Sequence, residues 1–423
     1  MPEPYGITAE ALAARGRTDI PNELRSATHL IYSSPATLSF NAPGAQGVGV
    51  KRAGLAIPGS VMLLVSPVCC GRNTGGVEYD ERCFYLSLDD TDIVTGRHLS
   101  ALTDAVQEVC QRCHPTPTVV MICITCVDAL LGTDMERVCR KAEAAVGIPV
   151  RPCSMYALTR EGRLPPMVAV RQTVYSLLTP MKRRRDAVNI LGFFSPLQDE
   201  CELYRLLSQN GVRQIREISR CRTFPEYQEM AQANFNLVLN QEARLAAQDM
   251  ERNLGIPSVE LVRMYQLDKI HNQYRLLGQV TGMDMEDQED CQAAEDAITR
   301  FRTHHPDVRL SVGEWANADP FELSLALLRY GFAVPEIFGT VGDANFPYLA
   351  KIARLSPGTH IYSNLSPSML YYDPSRTPVD VVIGKDAAYS HPGVPAVPWN
   401  EEPQPFGYTG VKALFDALER SMA

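Results

Sequence analysis

Thr118-Val-Val-Met-Ile-Cys-Ile-Thr125 is the stretch on which the fold turns. It is apolar at odd and even positions alike, as a strand covered on both faces of a parallel sheet should be. Downstream, Met135, Val138, Cys139 and Ala142 recur at helical spacing across 134–146. Gly147-Ile-Pro149 stops that helix, and 150–153 opens a further strand. Parallel strands need such a crossover, so this is a βαβ unit.

The same alternation spreads in both directions. Upstream, 61–65 and 83–88 read as strands, and 98–113 as a helix with Leu99, Leu102, Val106 and Val109 at three-and-four spacing. After the basic run Lys182-Arg-Arg-Arg185, expected to be a solvated turn, it restarts. Strands are predicted at 187–194, 214–218 and 235–239, and helices at 199–210, 226–233 and 242–254. The run 283–290 holds five acids and should face water, and 291–304 reads as a long helix. A third unit has strands at 308–312, 334–338 and 379–383, and helices at 318–330, 345–355 and 408–422. The proline-rich segment 390–406 should be irregular. The expectation is an α/β chain of three Rossmann-like, doubly wound domains. Their limits are set at 51–182, 183–304 and 305–423, after an N-terminal extension over 1–50.

Composition narrows the function. The 423 residues carry 40 Lys and Arg against 49 Asp and Glu, a net charge of −9, which argues against nucleic-acid or membrane-surface binding. No apolar run has membrane-spanning length, and the N-terminus lacks a secretory pattern, so a cytoplasmic protein is expected. Its 12 cysteines are then thiols or metal ligands rather than disulfides. There is no Gly-x-x-x-x-Gly-Lys-Ser/Thr loop and no Gly-x-Gly-x-x-Gly after a strand, which disfavours ATP hydrolysis and nicotinamide chemistry by this chain. Cys110-x-x-Cys113-His114 matches a haem-attachment pattern by coincidence, since it ends a helix. His304-His305 and His391 have no partners at ligand spacing and are read as solvent-facing and as part of a flexible loop.

Ligands of open α/β sheets bind beyond the carboxyl ends of strands. Cys69-Cys70-Gly71 follows the strand at 61–65, and Cys126 follows the strand at 118–125. Thiolates there can share an iron–sulfur cluster; the alternative is that they are small buried hydrophobes.

Four segments carry a resemblance, in order: Asn41-Ala-Pro-Gly-Ala-Gln-Gly47, Ser66-Pro-Val-Cys-Cys-Gly71, Leu88-Asp-Asp-Thr-Asp-Ile-Val-Thr-Gly96 and Thr125-Cys-Val-Asp-Ala-Leu-Leu-Gly-Thr-Asp134. With Asn236-Leu-Val-Leu-Asn240, Gly255-Ile-Pro257 and Phe406-Gly-Tyr-Thr-Gly410, they resemble the nitrogenase component 1 superfamily. That superfamily includes the molybdenum–iron protein subunits, their cofactor-assembly scaffold, dark-operative protochlorophyllide reductase and the reductive cyclase of coenzyme F430 biosynthesis. The resemblance implies three Rossmann-like domains, with Cys70 and Cys126 as cluster ligands at a subunit interface. The family's first cysteine ligand falls at or beside Asn41; Cys69 is a neighbour that could substitute, and Cys83 is a further thiol nearby in sequence. Two such chains, identical or merely similar, would give four thiolates to one [4Fe–4S] cluster, although a larger cluster is possible. The family's cofactor cysteine and histidine fall at Asn240 and Val397, neither a good ligand for soft iron, so a dinitrogen-reducing cofactor is not expected. Cys153 or Cys221 could anchor a different cluster.

The function that follows is the electron-accepting, catalytic component of a nitrogenase-like reductase. A separate ATP-hydrolysing iron–sulfur protein would supply electrons. The alternatives are a metallocluster-assembly scaffold and a non-catalytic support subunit.

Overall fold

The computed structural model describes residues 3–25, 45–67, 81–124, 132–154 and 164–423. Three sheets form, each from short apolar runs closed by Gly, Pro or polar residues. Strand β1 (Ile7–Thr8) belongs to the last of them. The first sheet contains β2 (Ser60–Pro67), β3 (Cys83–Leu88), β4 (Val119–Ile124) and β5 (Val150–Ser154) in the order β3-β2-β4-β5, all parallel. The second contains β6 (Ala187–Leu191), β7 (Gln214–Arg216), β8 (Phe235–Val238) and β9 (Ser258–Glu260) in the equivalent order β7-β6-β8-β9. The third contains β10 (Arg309–Val312), β11 (Ala333–Phe338), β12 (His360–Tyr362), β13 (Val381–Ile383) and β14 (Ala396–Val397). Its order is β1-β12-β11-β10-β13-β14, with β1 antiparallel to β12.

The first sheet is covered on both faces. Val61, Leu63, Val65, Val120 and Ile122 pack against the helices His98–Arg112 and Met135–Val146. Met62, Leu64, Met121 and Cys123, two residues apart on each strand and so on the opposite face, pack with Val50, Ala53, Val170 and Val174. Those last four lie on the helices Ala45–Gly54 and Pro166–Tyr175, neither of which the sequence reading anticipated. Asp134 caps the helix that follows it, and Gly147 ends that helix in the left-handed conformation.

The chain forms two compact units. One joins the first two sheets, over 43–194 and 211–262. The other holds the third sheet with 1–42, 195–210 and 263–423. In the second unit an unanticipated helix, Leu267–Thr281, joins Gln288–His304 and the closing helix Gly407–Met422. Among the described residues no helix is long and apolar enough to cross a membrane.

Two surface expectations are corrected. The acidic run 283–290 is not wholly solvated: Asp287 is 1% exposed, and accepts from the Tyr408 hydroxyl at 2.7 Å while His271 Nδ1 lies at 2.9 Å. His391 is buried rather than in a flexible loop, hydrogen-bonded to Glu336 and, at 2.9 Å, to the Tyr372 hydroxyl. Glu336 also accepts from Ser311 and Tyr372, both at 2.8 Å, so these polar side chains satisfy one another inside the third sheet's core. His304, by contrast, faces solvent and pairs with Glu419 at 2.6 Å.

Candidate functional site

In each sheet the chain reverses its direction of winding between two adjacent strands, and the crevice beyond their carboxyl ends is where ligands of this architecture sit. The flanking strands are β2 and β4 in the first sheet, β6 and β8 in the second, and β10 and β13 in the third.

At the first crevice β2 and β4 run side by side in register, Val65 opposite Ile124. Cys69 and Cys70 follow the end of β2, and Cys126 follows the end of β4. These three cysteines and Asn41 lie outside the described residues, but the two strands that lead to the cysteines are neighbours. Cys83 is placed otherwise. It opens β3 opposite Met62, five residues before β2 ends at Pro67, which at about 3.3 Å per residue is about 16 Å from the carboxyl edge.

The second crevice is closed by its own backbone. Asn240, after β8, accepts the Glu242 N–H at 2.9 Å through its side chain and so caps a short 3₁₀ turn. Gly192, after β6, has φ +130°, and a Cβ there would lie 2.6 Å from the Asn240 nitrogen. The buried Arg171 guanidinium holds both sides, donating to the Gly192 carbonyl at 2.7 and 3.1 Å and pairing with Glu242 at 2.8 Å.

The third crevice is filled by a carboxylate. Asp386 accepts from the Glu314 and Trp315 amides at 2.8 and 3.0 Å and from Asn364 Nδ2 at 2.7 Å. Burial raises its pKa. A Cβ on Gly313 would meet its Oδ1 at 2.2 Å. Glu314 beside it accepts from the Thr340 N–H at 3.1 Å and hydroxyl at 3.2 Å, and burial pushes its carboxyl up to about 7.

Val397, where the resemblance puts a cofactor histidine, is a buried residue of β14 opposite Ile383. Trp399 beyond it has φ +45° and donates through Nε1 to the Tyr265 hydroxyl at 2.6 Å, fixing this part of the proline-rich segment. The donor chemistry therefore tests two groups differently. Cysteine thiolates after β2 and β4 suit an iron–sulfur cluster. An amide committed to a cap and an apolar strand residue do not suit a second, soft-metal cofactor. Cys221 donates to the Glu217 carbonyl at 3.4 Å, and burial pushes it up to about 11. Cys110 and Cys113 sit at a helix end against the first core, their pKa raised by burial.

Comparison with known proteins places this geometry. Solved structures of nitrogenase Cp1 share the fold: at pH 6.5 the TM-score is 0.69, with 15% identity over 97% of this chain and 96% of that one. At pH 5 the TM-score is 0.64, with 18% identity over 99% and 93%. The nitrogenase iron-molybdenum cofactor biosynthesis protein NifE of Klebsiella pneumoniae is 27% identical over 52% of this chain and 53% of its own length. Its Rhodobacter capsulatus counterpart is 24% identical over 85% and 80%. The chain spans about half the length of the first of these curated relatives. Residues 45–422 match the family model of the nitrogenase component 1 type oxidoreductases, and the chain belongs to that family.

Proposed function

We propose that this protein is the cluster-carrying subunit of a metallocluster-assembly scaffold. It would hold an iron–sulfur cluster through Cys70 and Cys126, with a second, similar chain completing the ligand set. The observation that carries this reading is the contrast among the crevices. The first is flanked by strands leading to thiols, whereas Asn240 and Asp386 occupy the other two with side chains that serve the fold. Asn240 and Val397, at the family's second-cofactor positions, are not residues that would retain such a cofactor permanently, which suits a transient cargo. The similarity to cofactor biosynthesis proteins supports this over a catalytic role.

The bound cluster would supply thiolate-coordinated iron and a site for electron or cluster exchange. The chain's own part is mechanical and electrostatic. The sheet sets β2 and β4 in register, the helices on both faces exclude water from their length, and the Asn240 cap with Arg171 keeps the neighbouring crevice shut.

The second reading is the electron-accepting component of a reductase that uses the same cluster as a relay, with an organic substrate and an ATP-dependent iron–sulfur partner. One experiment separates the two. Anaerobically purified, cluster-loaded protein is mixed with an apo-acceptor and, separately, with a low-potential donor, reductase and ATP. The scaffold reading predicts stoichiometric transfer of iron and sulfide to the acceptor and no multiple turnover, with Cys70→Ala and Cys126→Ala transferring none. Sustained turnover without transfer assigns the protein to the reductase reading.

A further inference from the structure

A basic groove lies at the opposite edge of the second sheet from its crevice. The run Lys182-Arg-Arg-Arg185 leads into β6, and residues 229–234 lead into β8. These strands are parallel neighbours, Val188 opposite Phe235, so both segments stand at the amino edge. Between them is an open cavity of about 520 Å³, lined by Met181, Lys182, Arg183, Arg184 and Gln232. That volume lies within the range of small-molecule sites, about 300–1,000 Å³.

The run is exposed, as a solvated turn would be, but its backbone is fixed to the opposite wall. Gln228 donates to the Leu177 carbonyl at 2.8 Å and accepts from the Thr179 N–H and hydroxyl at 3.0 and 2.8 Å. The Arg184 N–H donates to the Gln232 carbonyl at 2.7 Å, and the Arg183 guanidinium to the Asn234 carbonyl. A groove held in this way is already formed before a ligand arrives, which lowers the cost of binding.

Its lining is rich in donors and short of acceptors. Arg184 commits two N–H groups to Asp186, at 3.1 and 2.9 Å. Among the described residues no carboxylate pairs with Lys182 or Arg183, and Lys182 makes no side-chain hydrogen bond. Gln232 Nε2 has the Met181 sulfur at 3.5 Å, a weak acceptor. Arg213, whose N–H donates to the Asp186 carbonyl at 2.9 Å, brings a further positive charge nearby. The chain as a whole has a net charge of −9, so this positive field is local.

We propose that the groove binds a small molecule bearing a diphosphate or triphosphate group, with Lys182 and Arg183 as its charge partners and Gln232 donating to a further oxygen. Phosphate oxygens are strong acceptors that match lysine and arginine donors. Two uncompensated cations favour a ligand with several charges along a chain over a single compact anion. The site is separate from the crevice thiols, and binding there makes and breaks no covalent bond.

The test is isothermal titration calorimetry of the full chain without divalent metal, at about 0.15 M salt so that screened surface attraction does not register. The probes are sodium diphosphate, ATP and, for comparison, sodium sulfate. The expected result is one site per chain that takes diphosphate and ATP about tenfold or more tightly than sulfate. Lys182→Ala and Arg183→Gln should each weaken it by about tenfold. Arg354→Gln, which removes an exposed cation of the other unit, should change it by less than about twofold. Equal affinity for diphosphate and ATP assigns the site to the phosphate chain alone, and tighter ATP adds a contact from the nucleoside; both uphold the proposal. Sulfate binding as tightly as diphosphate, or no saturable binding of either phosphate probe, overturns it. So does unchanged affinity in Lys182→Ala, whose exposed side chain has no part in the fold, whether or not Arg183→Gln folds.

Discussion

Glu314→Gln is expected to stabilise the protein by about 3 kcal/mol at pH 8 and to leave it unchanged at pH 4. Glu314 is buried after β10, and desolvation raises its carboxyl from 4.5 to about 7, with the charges of Asp386 and Asp319 adding to the shift. Thr340's hydrogen bonds oppose the shift and do not cancel it. For a carboxyl raised on folding, the folded state binds the extra proton between the two pKa values. Stability is therefore fully present below about 4.5 and is lost as pH rises through about 7. A shift of that size corresponds to about 3 kcal/mol above pH 7. Glutamine keeps the shape of the protonated form. Its carbonyl oxygen can still accept the Thr340 N–H, and its amide can donate to the Thr340 hydroxyl, which has lone pairs to accept. Urea midpoints of both proteins across pH 4–8 check this. Parallel pH profiles would show that ionised Glu314 carries no such penalty.

Glu202→Ala should cost about 4 kcal/mol and loosen the closing helix. Glu202 is 2% exposed and accepts four hydrogen bonds: Tyr274 hydroxyl at 2.7 Å, Tyr408 N–H at 2.6 Å, Thr409 N–H at 3.1 Å and Thr409 hydroxyl at 2.6 Å. Two are free first-turn amides of Gly407–Met422, so the carboxyl group also meets the positive end of that helix. Hydrogen bonds to a charged group contribute about 1.5–3 kcal/mol each and are not additive, and breaking a buried charged contact costs about 3–5 kcal/mol. Gly407 is required by the same contact. It has φ +63°, and a Cβ there would lie 1.8 Å from Glu202 Oε1, so Gly407→Ala should mimic the loss. Hydrogen exchange over 407–422 together with the urea midpoint measures both. A cost below about 1 kcal/mol would mean the helix is held by its apolar face alone.

Elements set by local pattern were legible in the sequence. His98–Arg112 and Met135–Val146 follow from three-and-four apolar spacing, and β4 from an uninterrupted apolar run. Short or mixed elements were not. β12 and β14 have three and two residues, too few to show a period, and β1 pairs Ile7 with Ile361, 354 residues away. Leu267–Thr281 did carry a signal, since Leu267, Ile270, Tyr274 and Leu277 are its buried positions, but these are spread among polar residues.

Burial of single polar groups was least legible, because the partner decides it. Asp287 stands in an acidic run that local composition assigns to solvent, and is buried by Tyr408, 121 residues later. His391 is held by Glu336, 55 residues earlier. The candidate site divides in the same way. The order of the motifs around Cys70 and Cys126 was readable, and so was the absence of soft ligands at Asn240 and Val397. What Asn240 does instead, capping its own turn against Gly192, depends on two strands meeting and is visible only in the fold.

On the proposed function, Cys70 and Cys126 would bind one iron–sulfur cluster between two chains. The most direct test of this is iron and acid-labile sulfide per chain, on anaerobically purified wild type, Cys70→Ala and Cys126→Ala. A shared [4Fe–4S] cluster predicts about two irons and two sulfides per wild-type chain and near zero in both variants. Full iron content in either variant, or none in a folded and reconstituted wild type, would contradict it.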